Sequence, residues 1–441
     1  MEELKKGNKK LLHAWAFYDW ANSVYSLVIV SAVFPIFYGA LTIVKDADTG
    51  QKITDIVTFF GYDFNNDSLI SYVTALGFLI VSIMSPLLSG ISDYVGNKEG
   101  FMKFFCYMGA LSCIGLYWFS LDHLFFGLLC YMLALVGFWG SLVFYNSYLP
   151  DIAYPEQQDS VSAKGFSLGY IGSVILLVVN LVMILKYDWF GFDNPGKPMR
   201  VSFIMVGAWW ILFAQYTFKY LPTSTHQGHK VTRTVLANGY NELYKIWVAL
   251  KHNKILRRYL GAFFVYSMAV QTIMLAATYF AVEELDWGKQ DSKVGLIISI
   301  LLIQLVAVVG ANYTAKLSKK LGNIKTLILI IFAWIAICAY AYFIITPVQF
   351  YITAGCVGLV MGGIQALSRS TYSKLIPEHS EDTASYFSFY DVSEKIGIVI
   401  GMFMYGFVAQ ITGSMRYSIL FLISFFVVGV ILLYRIPRRA V

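Results

Sequence analysis

Asp391, Glu394 and Lys395 set two acids and an amine on one side of a helix, because separations of three and four share a face. All three lie inside an apolar run. Gln365 and Arg369 lie in another such run, and Asp19 lies in a third, where Asn22, Ser23 and Tyr25 give it a polar face. Ionisable groups within lipid-buried helices are costly, so they face partners or a wet cavity. The chemistry they offer is ionic recognition and proton exchange, with no bond between heavy atoms made or broken. A carboxylate suits an ammonium, and an arginine fork suits a carboxylate or phosphate.

Each group has more than one use. Asp19 is suited to binding a substrate ammonium, to carrying a proton, or to pairing with a lysine. Arg369 is suited to an anionic substrate group or to snorkelling from a helix end to the headgroups. Asp391 and Lys395 can neutralise each other, which leaves Glu394 as the leading proton-coupling candidate, with Asp19 and Asp391 behind it. The alternative is a buried three-member network that fixes packing. Lys395 is a second cation for a substrate carboxylate. Gln271, Gln304 and Gln365 are candidate cavity polars. Tyr25, Tyr145 and Tyr266 are candidates for contact with apolar or aromatic parts of a solute.

The elements that position these residues are helices in a membrane. The chain has 441 residues, of which 58% are hydrophobic and 13% charged, against about 45–50% apolar and about 25% charged in a soluble domain. A span needs roughly 20 apolar residues. Twelve runs qualify, at 12–44, 68–92, 101–120, 124–149, 160–186, 200–220, 257–284, 292–315, 324–346, 349–374, 384–412 and 416–435. They are too long and too apolar on all sides for barrel strands, so an all-α polytopic fold is expected. The first run lacks a cleavage site and is expected to remain as span one.

The net charge of +7 does not point to nucleic acid. With a cytoplasmic N-terminus, most lysines and arginines fall at cytoplasmic ends and loops, as the positive-inside rule requires. Both chain ends are then cytoplasmic. The five cysteines sit in apolar runs with no CxxC pair and read as packing residues. The six histidines, His226 and His229 among them, show no metal-site spacing. No phosphate-binding or dinucleotide glycine motif is present. No cofactor or metal is expected, and the driving energy would come from an ion or solute gradient.

The longest cytoplasmic connection, 221–256, becomes amphipathic, with Leu236, Tyr240, Leu243, Trp247 and Leu250 at helical spacing. Lys230, Arg233, Lys245, Lys251, Lys254, Arg257 and Arg258 surround that stripe. Such a helix is expected on the inner membrane face. It divides a six-helix bundle at 1–220 from another at 257–441. The halves resemble each other. SDYVGNK (Ser92 to Lys98) follows span two and SKKLGNIK (Ser318 to Lys325) follows span eight, while Pro150 and Pro377 end spans four and ten. Gly96 to Gly322 and Pro150 to Pro377 share almost one offset, which also aligns Lys164 with Asp391. A duplicated six-helix unit with its site near mid-membrane follows.

That architecture resembles the major facilitator superfamily. Asp93, Gly96 and Lys98 resemble its loop 2–3 signature, in which an acid beside cations latches the cytoplasmic side. Ser89 stands where that signature has glycine, and Lys319 replaces the acid in the second copy, so one half is expected to carry the latch. AFYDWANSVYS (Ala16 to Ser26), VFYNSYLPDIA (Val143 to Ala153), KGFSLGYIG (Lys164 to Gly172) and GGIQALSRSTYSKLIPE (Gly362 to Glu378) resemble the vacuole-effluxer-like, or "unknown major facilitator", family. The resemblance implies export of amino acids in the eukaryotic member, and adds Asn146 and Tyr148 to the vestibule. Short loops point to a bacterial-type member in the inner membrane. Ser267, Met268 and Ala269 replace the family's Asn-Asp-Gly, so the role of that acid is lost or moved. Lys395 is family-like and Glu394 is not.

The expected function is secondary active transport of small solutes, amino acids or similar zwitterions foremost. Coupling is to a proton or solute gradient, by a monomer in the lipid bilayer. Asp19, Asn22, Tyr25, Asn146, Gln271, Gln365, Arg369 and Lys395 are the expected substrate contacts. The alternatives are export of a lipid-linked or nucleoside-like solute, a non-transporting sensor, or a membrane enzyme. No tight catalytic cluster favours the enzyme, and the loops are too short for a sensor's output domain.

Overall fold

A computed structural model describes residues 4–45, 52–223, 235–288, 292–378 and 380–437. Twelve helices among them are long and apolar enough to cross a membrane. Spans one to six are Lys9–Thr42, Asn66–Val95, Lys98–Trp118, Leu124–Ile152, Pro155–Leu185 and Gly196–Tyr220. Spans seven to twelve are Lys254–Glu284, Val294–Leu321, Asn323–Ala341, Pro347–Leu375, Thr383–Thr412 and Met415–Tyr434. Each satisfies its backbone internally, which is what hydrocarbon demands. Several extend past the apolar run because polar residues cap them at the interface. Asn97, for example, accepts from the Gly100 N–H to start span three.

One apolar core is drawn almost wholly from spans one to six, with Ala384 added. Another is drawn almost wholly from spans seven to twelve, with Tyr170, Ile246 and Leu250 added. Both repeat glycines take positive φ, Gly96 at 74° and Gly322 at 83°. Only glycine does this without strain, and at Gly96 it turns the end of span two back so that the N–H meets the Ser92 and Asp93 carbonyls.

Three features differ from the sequence expectation. First, the middle of span one, Tyr25–Val33, is wound as a π-helix. Pro35 follows within two residues, and its missing N–H and bulky ring disfavour regular α-winding just before it. Second, the connection to span two carries two small hairpins. They pair β1 (Val44–Lys45) with β2 (Lys52–Thr54), and β3 (Ile56–Phe59) with β4 (Tyr62–Asn65). Phe60 and Gly61 both have positive φ, the signature of a tight two-residue hairpin turn.

Third, the linker helix (Val235–His252) splits its apolar residues between two faces. Ile246 and Leu250 are buried against the protein, whereas Tyr240 and Trp247 are exposed. The helix packs on span two and touches span eleven, with the Trp247 ring stacked 5.9 Å from Phe389. Lys230 and Arg233 lie outside the described residues.

Candidate functional site

A cavity of about 380 Å³ lies between spans one to six and spans seven to twelve. Spans one, four, five, seven, ten and eleven bring Asp19, Asn146, Phe166, Gln271, Arg369 and Asp391 to its wall. The π-wound turn contributes Tyr25, Ser26 and Val30, so the irregular segment faces the cavity. Asn22, Gln365 and Glu394 also line it.

Asp19 and Arg369 do not wait apart for a solute; they face each other. Arg369 Nη1 and Nη2 both donate to Asp19 Oδ2, each at 3.3 Å. That is longer than the ~2.7–2.9 Å of a firm charge-assisted bond. Tyr145 donates to the same oxygen at 2.9 Å. Arg369 Nη1 also donates to Asn146 Oδ1 at 3.2 Å, Nε to Ser162 Oγ at 2.9 Å, and Nη2 to the Ser162 carbonyl at 3.0 Å. Its guanidinium lies 4.2 Å from the Phe166 ring and 4.9 Å from Trp15. Both ions are almost fully buried. Arg369 therefore does not snorkel to the headgroups.

The second charge group is on span eleven. The Lys395 ammonium contacts the Asp391 carboxylate, lies 3.4 Å from Glu394 Oε2, and sits 3.4 Å over the Trp139 ring of span four. It is 1% exposed, so its donors are already spent, and it is poorly placed for a substrate carboxylate. Glu394 Oε1 accepts from Gln271 on span seven at 2.7 Å. This carboxylate thus lies beside span seven just after Ser267, Met268 and Ala269. Gln365 accepts from the Tyr170 hydroxyl at 2.6 Å. Lys164 is exposed, so the repeat does not carry it to a position like that of Asp391.

On the face that carries both chain ends, the terminal face, polar contacts close the two halves together. Asp93 caps span eleven, accepting from the Ala384 N–H at 3.2 Å and the Ser385 N–H at 2.7 Å, where a helix N-terminus favours an anion. Lys98 pairs with Asp151 at 2.8 Å and contacts the Thr383 hydroxyl. Gly96 makes the turn that aims this loop. The first half carries this acid, and it carries a second one as well. Asp159 of span five accepts from Ser318 Oγ at 2.9 Å, Asn323 Nδ2 at 2.9 Å and Lys374 Nζ at 2.7 Å. The second loop has Lys319 in place of the acid, and Lys319 is exposed. The acid comes from the opposite half instead.

Sequence reading missed Trp139, Asp151, Asp159, Ser162 and Lys374. Ser318 and Asn323 were detectable, because the repeat aligns them with Ser92 and Asn97. The glycines at 165, 169 and 172 do give close packing of spans one and five. A Cβ on Gly169 would lie 2.4 Å from Ser23 Oγ. Gly165 has a further role, since its Cβ would lie 2.5 Å from Asp19 Oδ2.

Comparison with known proteins agrees with this architecture. The profile of the vacuole effluxer Atg22-like family matches residues 7–440. The uncharacterized MFS-type transporter YxiO of Bacillus subtilis is 31% identical, over 97% of this chain and 95% of its own. Autophagy-related protein 22 of Kluyveromyces lactis is 25% identical, over 96% and 92%. Among solved structures, the Escherichia coli fucose:proton symporter FucP superposes with a TM-score of 0.69 at 16% identity, covering 97% of this chain and 98% of that one. A bacterial homologue of the iron transporter ferroportin, in an outward-facing state, gives 0.63 at 11% identity, covering 97% and 98%.

Proposed function

This chain belongs to the vacuole effluxer Atg22-like family of membrane transporters, and from that premise we propose that it carries small zwitterions, amino acids foremost, by alternating access. One observation carries this reading. The cavity between the halves is lined by both a base and acids, Arg369 with Asp19, Asp391 and Glu394, and by the amides of Asn22, Gln271, Gln304 and Gln365. A solute that carries both charges and both donates and accepts hydrogen bonds matches that lining.

In this reading the long Asp19–Arg369 contact is exchangeable. A substrate carboxylate takes the Arg369 fork while its ammonium goes to Asp19 or to the free oxygen of Asp391. Glu394, held by Gln271, or the released Asp19, carries the coupled proton. Forming a buried ion pair nearly cancels its own desolvation cost, although removing one partner costs about 3–5 kcal/mol. Contacts of this kind suit an interface that must form and break in each cycle. In this reading the protein works as a monomer in a bacterial inner membrane with the terminal face cytoplasmic, and the closed Asp93 and Asp159 contacts then fit an outward-facing state. The two units rock at a boundary near residues 221–256.

Proteoliposomes given an imposed pH gradient test the substrate claim. Amino-acid flux well above that of empty vesicles is expected; its absence alongside flux of another solute class removes the claim. A second reading, an amphiphilic solute of nucleoside-like kind, is favoured by an apolar chamber of about 140 Å³ that shares Met274, Gln304 and Met361 with the cavity. Thermal-shift screening of the purified protein separates the two.

A further inference from the structure

The linker helix has two working faces, one covered and one largely open. Gly239, Ile246 and Leu250 lie on the covered face. A Cβ on Gly90 of span two would come within 2.3 Å of the Gly239 carbonyl oxygen, so the two backbones touch there. On the other face, Tyr240, Tyr244 and Trp247 are 61%, 59% and 44% exposed and follow one another at helical spacing. Lys251 continues that row, its ammonium 5.3 Å from the Trp247 ring. Only Asn253 separates this helix from span seven, so its C-terminal end lies at the membrane boundary.

That end carries a cluster of cations. Lys251, Lys254, Arg257 and Arg258 are exposed, and none forms an ion pair among the described residues. Backbone carbonyls hold the arginines in place. Arg257 donates to the Lys251 carbonyl at 3.1 Å, and Arg258 to the Arg435 carbonyl at 3.0 Å. Lys245, by contrast, is paired with Glu242 at 2.7 Å. Like charges gathered without a counter-charge repel, unless an anion joins them. Aromatics in line with lysine and arginine are the composition of a membrane–water interface.

We propose that this face docks anionic phospholipid headgroups, and that lipid held there keeps the terminal face closed. The link is mechanical. The helix is fastened to span two through Gly239 and to span eleven through Trp247 and Phe389, and spans two and eleven are the pair that Asp93 latches. A cation near an anionic surface contributes enough attraction to change lipid retention by about fivefold.

Native mass spectrometry of the full chain, with phosphatidylglycerol and phosphatidylcholine as probes, tests the site. Wild type is expected to retain phosphatidylglycerol preferentially, R257Q and R258Q to lose about fivefold each, and K251Q/K254Q/R257Q/R258Q to lose the preference. The single variants separate loss of the site from misfolding. The coupling is read in nanodiscs from thiol labelling at Ser147→Cys, buried beneath Thr383, in a Cys356→Ser background because Cys356 is exposed. Labelling several-fold slower with phosphatidylglycerol, in wild type only, is expected. Equal retention of both lipids overturns the proposal. So does displacement of the preference by inorganic phosphate, which marks a soluble-anion site, or labelling indifferent to lipid.

Discussion

Gly165→Ala is a one-carbon change aimed at the central ion pair. The added methyl would lie 2.5 Å from Asp19 Oδ2 and 3.1 Å from both Arg369 Nη2 and the Tyr145 hydroxyl. Ordinary contact starts near 3.4 Å, so the carboxylate must retreat by about 1 Å. The Asp19–Arg369 bonds are already 3.3 Å long, and a shift of that size ends them. An arginine left buried without its carboxylate costs about 3–5 kcal/mol, less whatever Asn146 and Ser162 retain. We expect a loss of about 2–4 kcal/mol in stability and a fall in flux of at least tenfold. The assay is a double-mutant cycle with Asp19→Ala, read by thermal unfolding and proteoliposome flux. Truncating Asp19 removes the atom that clashes, so Gly165→Ala should cost little in that background. Additive losses, or a Gly165→Ala protein with normal stability and flux, would refute the steric reasoning.

Trp139→Leu removes the ring beneath Lys395; unfolding should show a loss of about 0.5–2 kcal/mol, and an unchanged transition contradicts the contact. Asp159→Ala leaves Lys374 unpaired across the halves and should raise terminal-face thiol labelling about tenfold or more, as should Lys98→Met. Gly239→Ala brings a methyl within 2.6 Å of Ile91 Cγ1 and should release the linker helix, seen as faster proteolysis between spans six and seven.

Apolar run length fixes how many helices cross, and that much was plain from the sequence. Gly96 and Gly322 share a positive φ, but their ψ angles are 22° and 157°, so the offset seen in sequence carries the need for glycine and not the shape of the turn. The motifs around Asp19, Asn146 and Arg369 do converge on one cavity. That Asp19 would spend itself on Arg369 was not legible. Pairing across two halves depends on how they dock, and no local periodicity reports that. Asp159 was hidden for a related reason, since it sits just outside the apolar run that marks span five. The linker helix kept its amphipathic pattern, but a stripe cannot say whether it will meet lipid or protein. Here the small residues Gly90 and Gly239 let one face of it close on span two. The hairpins before span two had the turn signal Phe60-Gly61, which the surrounding apolar bias obscured.

The central claim is that a zwitterion is held between Asp19 and Arg369 while the halves exchange access. Flux of labelled amino acids into proteoliposomes containing wild type, Asp19→Asn or Arg369→Ala tests it most directly. Robust flux in wild type, with a loss of at least tenfold in each variant at equal protein incorporation, is the expected result. Undiminished transport by both variants would contradict it.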